Sequence, residues 1–361
     1  MRVAAGIGAV VCGVFVVVAV GVPAQRGAAS PSTSAAATDV SRRIVASAQK
    51  VLATLDEAGR AKIQFPLNSE QKARWSNLPS GVFKREGVRL GDLTPAQRTA
   101  VMALLETAFS ASGYRKVTQI MQGDDVLRDG AGRNGPPRGG QAGGGRGGRG
   151  AVAFGSDEYY VAFVGAPSMT DPWLLQFGGH HLAINMTFAG SRATLAPTLT
   201  GAQPATYTIE GRTIRPLGQE NDRAFALIAS LSPEQRKQAI LPYAVSDLVL
   251  GPGQDGRTIQ PEGLRVSTLS PSQQTTVMEI VREWAGIANE AFATPRLADI
   301  RTNLPDTYFA WSGPTTPGSV VYFRIQGPAL VIEYAPQRDV DHIHTMYRDP
   351  HNDYGAAFAR K

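Results

Sequence analysis

The chain of 361 residues has one cysteine and five histidines. The cysteine, Cys12, lies in an apolar run from Val3 to Val22 that follows Arg2 and leads into Val22-Pro23-Ala24, the pattern of a secretory leader with its cleavage signal. Removal of residues 1–24 leaves no thiol, which excludes a disulfide framework, a thiolate metal site and a cysteine nucleophile. No Ser-centred nucleophile elbow, Walker loop or dinucleotide fingerprint occurs either. Any metal must therefore rest on histidine, carboxylate or carbonyl ligands.

The leader predicts export from a bacterial cytoplasm to the periplasm or the exterior. The run from Val3 to Val22 is nearly long enough to span a bilayer, so an uncleaved N-terminal anchor is the alternative, and no other membrane contact is expected. Residues 25–38 read as a flexible tether, with Ala, Ser, Thr and Pro dominating from Ala28 on, and folding is expected to start near Asp39. Thirty-six basic against thirty acidic residues give a net charge of +6, a mixed surface that by itself names no anionic partner. Arg138-Gly139-Gly140 and Arg146-Gly147-Gly148-Arg149-Gly150 resemble RNA-binding tracts, but no aromatic residue is interleaved for base stacking and export removes the usual partner. No nucleic acid is expected, and the Gly-rich tract reads as a disordered surface loop that buries too little apolar surface to fold.

Comparison of the chain with itself reveals a repeat. Gly87-Val88-Arg89-Leu90-Gly91-Asp92-Leu93-Thr94-Pro95-Ala96-Gln97 aligns without gaps on Gly263-Leu264-Arg265-Val266-Ser267-Thr268-Leu269-Ser270-Pro271-Ser272-Gln273, an offset of 176. Further on, Tyr160 to Gly165 resembles Tyr308 to Gly313, and Gly179 with Leu182-Ala183-Ile184 resembles Gly327 with Leu330-Val331-Ile332, an offset of 148. The 28-residue difference matches a Gly-rich insertion at 122–150 in the first copy. The predicted halves are 39–215 and 216–361.

Thr94-Pro95-Ala96-Gln97, Ser232-Pro233-Glu234-Gln235 and Ser270-Pro271-Ser272-Gln273 each place a hydroxyl at the N-cap, Pro at the first helical position and Gln three residues after the cap. Apolar stripes follow at helical spacing, and a further short helix per copy is expected around Glu70-Gln71-Lys72 and Glu234-Gln235-Arg236. Strands are predicted at Tyr159–Val164, Trp173–Phe177, His181–Phe188, Val320–Ile325 and Leu330–Tyr334. The expected fold is α+β, with two pseudo-symmetric halves from an internal duplication, each with capped helices followed by antiparallel strands.

The histidines occupy two short segments, Gly178 to Asn185 and Asp341 to Gly355. On a strand starting at His181, that residue shares a face with Ala183, Asn185 and Thr187, away from Leu182, Ile184, Met186 and Phe188; His180 would be a core histidine bonded to backbone. In His342-Ile343-His344 an extended backbone puts both imidazoles on one side and Ile343 in the core. His181, His342 and His344 then supply three ligands for zinc or another divalent ion, with Glu333 or Asp341 as a further ligand or as the base that takes a proton from water. Arg348 and Arg324 each offer a planar fork for an anionic group on a substrate. His351 falls in a turn-rich loop and is peripheral. The competing structural reading has these imidazoles capping loops and satisfying buried carbonyls.

The pairing of Phe177-Gly178-Gly179-His180-His181-Leu182-Ala183-Ile184-Asn185 with His342-Ile343-His344-Thr345-Met346-Tyr347-Arg348-Asp349-Pro350-His351-Asn352-Asp353-Tyr354-Gly355 resembles the domain-of-unknown-function family numbered 3500. The resemblance covers most of the chain after the tether and implies exported bacterial origin, with both histidine segments as signature regions. It supplies no catalytic assignment. The Gly-rich insertion departs from a compact family pattern and touches neither motif.

Two function classes follow. The first is an exported metal-dependent hydrolase in which a histidine-held divalent ion activates water. The alternative is a non-catalytic ligand-binding protein whose cleft between the halves is lined by Trp173, Trp311 and Tyr347. An oxidative copper site is disfavoured because no histidine follows the cleavage point at the new N-terminus.

Overall fold

The computed structural model describes Met1, residues 32–133 and residues 152–358. The rest of the leader, residues 25–31 of the tether and residues 134–150 of the Gly-rich tract lie outside the described residues. Among the described residues, no helix is long and apolar enough to cross a membrane.

Helices α1 (Ser32–Thr54) and α2 (Glu57–Ile63) lead to strand β1 (Gln64–Phe65), followed after a long loop by β2 (Val88–Arg89), α3 (Pro95–Ala108) and α4 (Ala111–Arg133). Next come β3 (Tyr160–Val164), β4 (Trp173–Gly179), β5 (Leu182–Ala189), β6 (Arg192–Thr194) and β7 (Thr198–Ala202), then a small separate hairpin of β8 (Tyr207–Ile209) and β9 (Arg212–Ile214). Helices α5 (Gly218–Ser230) and α6 (Pro233–Ala239), strand β10 (Leu264–Arg265), and helices α7 (Pro271–Ala285) and α8 (Glu290–Thr302) precede the last strands. These are β11 (Tyr308–Ser312), β12 (Tyr322–Gly327), β13 (Leu330–Pro336) and β14 (Ile343–Arg348).

All three sequence-predicted caps form. Thr94, Ser232 and Ser270 each accept the backbone N–H of the Gln three residues on, whose side chain accepts the N–H of the cap in return. Such a cap is worth about 1 kcal/mol.

Twelve strands make one sheet in the order β1-β3-β4-β5-β7-β14-β13-β12-β11-β10, with β2 beside β3 and β6 beside β5. Only the β1–β3 pairing is parallel among its named strands. The fold is therefore mixed α and β around a large, mostly antiparallel sheet, continuous across the expected boundary at 215/216. Helices cover one face: the Trp284 indole of α7 donates to Thr345 Oγ1 (2.8 Å) and Arg296 of α8 donates to the Tyr347 hydroxyl (3.0 Å).

The other face is lidded by two loops, residues 66–87 and 241–262. Gln71 Nε2 donates to Gln176 Oε1 (2.7 Å), and the N–H groups of Val249 and Leu250 donate to Glu333 (2.8 Å each). Beneath them Trp75, Ala183, Leu199 and Met346 form a small second core. The face of β5 that alternation marks as non-core is thus buried under loops. Trp173, Trp311 and Tyr347, expected in a ligand cleft, are wholly inside the main core, because their face is the one the helices cover.

Backbone steps recur at fixed spacing. Val88 pairs with Val161 and Arg89 with Tyr160; at offsets of 176 and 148, Leu264 pairs with Phe309 and Arg265 with Tyr308. Gly87 and Gly263 precede these pairs with φ of +108° and +94°, and a Cβ on either would strike the carbonyl oxygen of Val161 or Phe309, so only glycine fits. Gln97 and Gln273 donate to the carbonyls of Thr54 and Ser230, at 2.8 Å each. At this spacing α6 corresponds to α2; the expected counterpart at Glu70 is a single 3-10 turn, Glu70–Ala73.

Two boundaries differ from expectation for one reason, apolar periodicity inside polar composition. Helix α1 starts within the stretch read as tether, carried by the buried stripe Ala37, Val40, Ile44, Ala48 and Val51. Helix α4 continues through residues 122–133, read as part of the disordered insertion.

Candidate metal centre

Strands β4 and β5 are joined so tightly that Gly179 pairs with Leu182, leaving His180 and His181 as a two-residue turn. His181 is therefore a turn residue and not the first residue of a strand. Its φ is +61°, a left-handed conformation uncommon for a side chain of this size. The turn is held on several sides: His181 N–H donates to Asn77 O (3.1 Å), its carbonyl accepts from Gly201 N (2.7 Å), and the Tyr159 hydroxyl donates to His180 O (2.7 Å). Gly179 and Gly201 make the packing possible. A Cβ on Gly179 would lie 2.7 Å from the Tyr159 ring, and one on Gly201 would lie 2.7 Å from Ile343 O and 3.0 Å from His181 Cδ2.

Strand β14 brings the second segment alongside, pairing His344 with Gly201 of β7 and with Ala335 of β13. Ile343 is in the core, while His342 and His344 share the opposite side, as the spacing predicts. His342 Nε2 lies 2.8 Å from His181 Nε2 and 3.0 Å from His344 Nε2. His181 and His344 are buried and His342 is half-buried. One ring nitrogen carries either a proton or a lone pair, so His342 Nε2 cannot make two good hydrogen bonds in these directions. Three ring nitrogens within 4.8 Å of one another fit a shared cation better: at a metal–nitrogen distance of about 2 Å, ligands sit about 2.9 Å apart at right angles and about 3.3 Å apart at the tetrahedral angle.

The electrostatics keep His181 and His342 neutral, the form that binds metal. Burial pushes His181 well below the ordinary histidine value, and the neighbouring His180, His344 and His342 push the same way. Burial likewise brings His342 down to about 4, with His344 and His180 contributing and Asp339 and Asp247 opposing.

Further polar groups surround the three rings. Asp247 Oδ1 stands 3.8 Å from His344 Nδ1, the ring nitrogen that points away from the cluster, while Asn77 Nδ2 stands 3.1 Å from His344 Nε2, where it donates only when no cation takes that lone pair. Partial burial opposes ionisation of Asp247, but contact with His344 and the Leu248 N–H outweighs it and holds the carboxyl below its usual range. His180 is buried; its Nδ1 bonds Asp124 Oδ1 at 2.6 Å, while Asp124 Oδ2 accepts from Gly155 N (2.9 Å). The partner of His180 is thus a helix carboxylate and not the expected backbone group. Asp124, His180 and His181 form a second group close enough to hold a cation. The His180 and His181 rings, however, lie 3.7 Å apart with planes 35° from parallel, so their in-plane lone pairs run side by side and converge poorly.

The remaining sequence-predicted residues have other work. Glu333 is fully buried and accepts from Val249 N, Leu250 N and the Tyr322 hydroxyl (2.7 Å), so its carboxylate anchors a loop and is not free as a base. Asp341 is exposed and accepts from Ala205 N (2.9 Å), outside both groups of potential ligands. Arg348 is spent on Leu250 O, Asp255 and Asp353, at 2.8, 2.9 and 2.7 Å, and Arg324 is paired with Glu262 (2.9 Å). His351 is exposed.

Asp124, Asn77 and Asp247 escape the sequence reading. Asp124 has a signal: it continues the buried stripe Val117, Ile120 and Met121 of α4, where a carboxylate demands a partner. Asn77 and Asp247 sit in loops, where nothing local marks them.

Comparison with curated proteins and with solved structures finds no match. A family model does match, over residues 37–356, a span that includes every residue of the centre. The chain belongs to the family described as Protein of unknown function (DUF3500).

Proposed function

We infer that the protein is a metal-dependent hydrolase whose divalent ion, of the zinc type, is held by His181, His342 and His344. The observation that carries this reading is the convergence of three Nε2 atoms, 2.8 and 3.0 Å apart in succession, from segments distant in sequence. Three protein ligands leave room for a fourth, exchangeable position, the hallmark of a catalytic site as opposed to a structural one. The bound ion supplies Lewis-acid polarisation and lowers the pKa of water.

The chain's own residues do the rest. Asp124 fixes the His180 ring through Nδ1, leaving Nε2 without a hydrogen-bond partner among the described residues and able to take a proton beside the three ligands. This role replaces the one expected of Glu333 or Asp341. Asp247 faces the other nitrogen of the His344 ring, Nδ1, at 3.8 Å.

Elemental analysis of zinc-supplemented protein tests the reading. One zinc per chain is expected, lost in His181→Ala, His342→Ala and His344→Ala and retained in His351→Ala. Absence of stoichiometric metal in the parent overturns it.

We also propose that the chain is exported, as its leader suggests, and that its two halves descend from a duplication. The recurring register at offsets of 176 and 148 supports the latter.

A further inference from the structure

We propose that the cavity beside the imidazole cluster is its substrate pocket, built for a small organic carboxylate with an apolar body that Arg338 anchors. The inference rests on the metal reading for its catalytic meaning. The cavity measures about 430 Å³ and is lined by Pro242, Val245, Val321, Tyr322, Ala335 and Arg338 among others, a size suited to a small molecule.

Its position follows from the sheet register. Ser312 lies opposite Tyr322, and Ala335 lies opposite His344. Directly opposite residues carry their Cβ atoms about 5 Å apart on one face, so the wall at Ala335 adjoins the His344 ligand. Two further links tie cavity to cluster. Ser246 of the wall precedes Asp247, which faces His344 Nδ1 at 3.8 Å. Arg338 follows Gln337, whose N–H donates to His342 O (2.6 Å) and whose Nε2 donates to Asp247 Oδ1 (2.7 Å). The Asp247–Gln337 bridge is thus an edge that pocket and metal ligands share.

The chemistry of the lining names the ligand. No acidic side chain lines the cavity, and its one cation is Arg338, which is exposed and has no ion pair among the described residues. Arg338 is held at φ +67°, a strained conformation for a long side chain, at the rim. A lone guanidinium matches a carboxylate through two parallel hydrogen bonds, whereas a phosphate dianion would leave a charge unmatched. The apolar walls fit a hydrocarbon body. The larger groove of about 740 Å³ near Phe65 and Arg89 is lined by three carboxylates, Asp56, Glu86 and Asp92, beside Lys62 and Arg89, a mixed lining that does not select an anion.

Calorimetric titration of the full chain with phenylacetate, with and without zinc, tests the proposal. Saturable binding in the roughly millimolar range or tighter is expected, weakened about tenfold or more by Arg338→Gln and by exchange of phenylacetate for phenylacetamide. Val320→Trp, at the exposed rim, blocks it while leaving zinc content unchanged. Absence of saturable binding, or binding indifferent to Arg338→Gln, overturns the proposal. Zinc content read on the same samples separates the two claims: a chain that holds phenylacetate through Arg338 but no zinc refutes the metal reading and leaves the pocket standing.

Discussion

His181 Nε2 and His342 Nε2 stand 2.8 Å apart although 161 positions separate them in sequence. Both rings are held neutral by burial, and that sets a pH signature. The His342 pKa falls from 6.5 in the unfolded chain to about 4 in the folded one, so between these values the unfolded state binds the proton that the folded state refuses. Metal-free protein is expected to lose stability as pH drops through that window and to be insensitive to this group above it. Urea midpoints of metal-stripped protein between about pH 7 and pH 4.5 check this, and His342→Gln flattens the slope. A parent whose stability is level across the window contradicts the assignment.

Asp124→Asn separates ligands from orienting groups. It replaces a charge-assisted bond to His180 with a neutral one and is expected to cost about 1.5–3 kcal/mol of stability, while zinc stays bound. Zinc loss as complete as in His181→Ala would make Asp124 a ligand.

Gly201→Ala places a methyl group 2.7 Å from Ile343 O and 3.0 Å from His181 Cδ2. The ring and strand β14 must part, and zinc affinity is expected to fall roughly tenfold or more, the scale of lost ligand orientation. Competition against a chromophoric chelator measures it; unchanged affinity would show that the backbone here does not position the ring.

Glu333→Ala orphans the half-buried Val249 N–H, the buried Leu250 N–H and the Tyr322 hydroxyl. A loss of about 2–4 kcal/mol is expected in chemical denaturation, with the zinc content of the folded fraction unchanged. Zinc loss without loss of stability would restore Glu333 to the centre.

Local signals were legible in the sequence and tertiary ones were not. The caps at Thr94, Ser232 and Ser270 were readable because a hydroxyl, a proline and a glutamine act within one turn. The convergence of His181, His342 and His344 could be posed because period-two alternation fixes which side of β14 carries the imidazoles. The left-handed turn at His181 could not, since it depends on Tyr159 and Gly201 closing on the hairpin from elsewhere. Glu333 and Arg348 looked like site residues because an isolated charge on a strand gives no sign of its partner; Val249, Leu250, Asp255 and Asp353 come from outside their strands. Asp124 was hidden by glycine-rich surroundings that masked the stripe of α4.

Strand β14 comes last among the strands in sequence yet sits between β7 and β13 in the middle of the sheet. The two flanks of the sheet share no strand pairing until it docks, and two of the three imidazoles travel with it. Assembly of the centre therefore depends on the pairing that closes the longest loop in the sheet, a non-local contact. A cation captured there would act as a latch on the finished sheet, and metal occupancy would report that the chain has completed its fold.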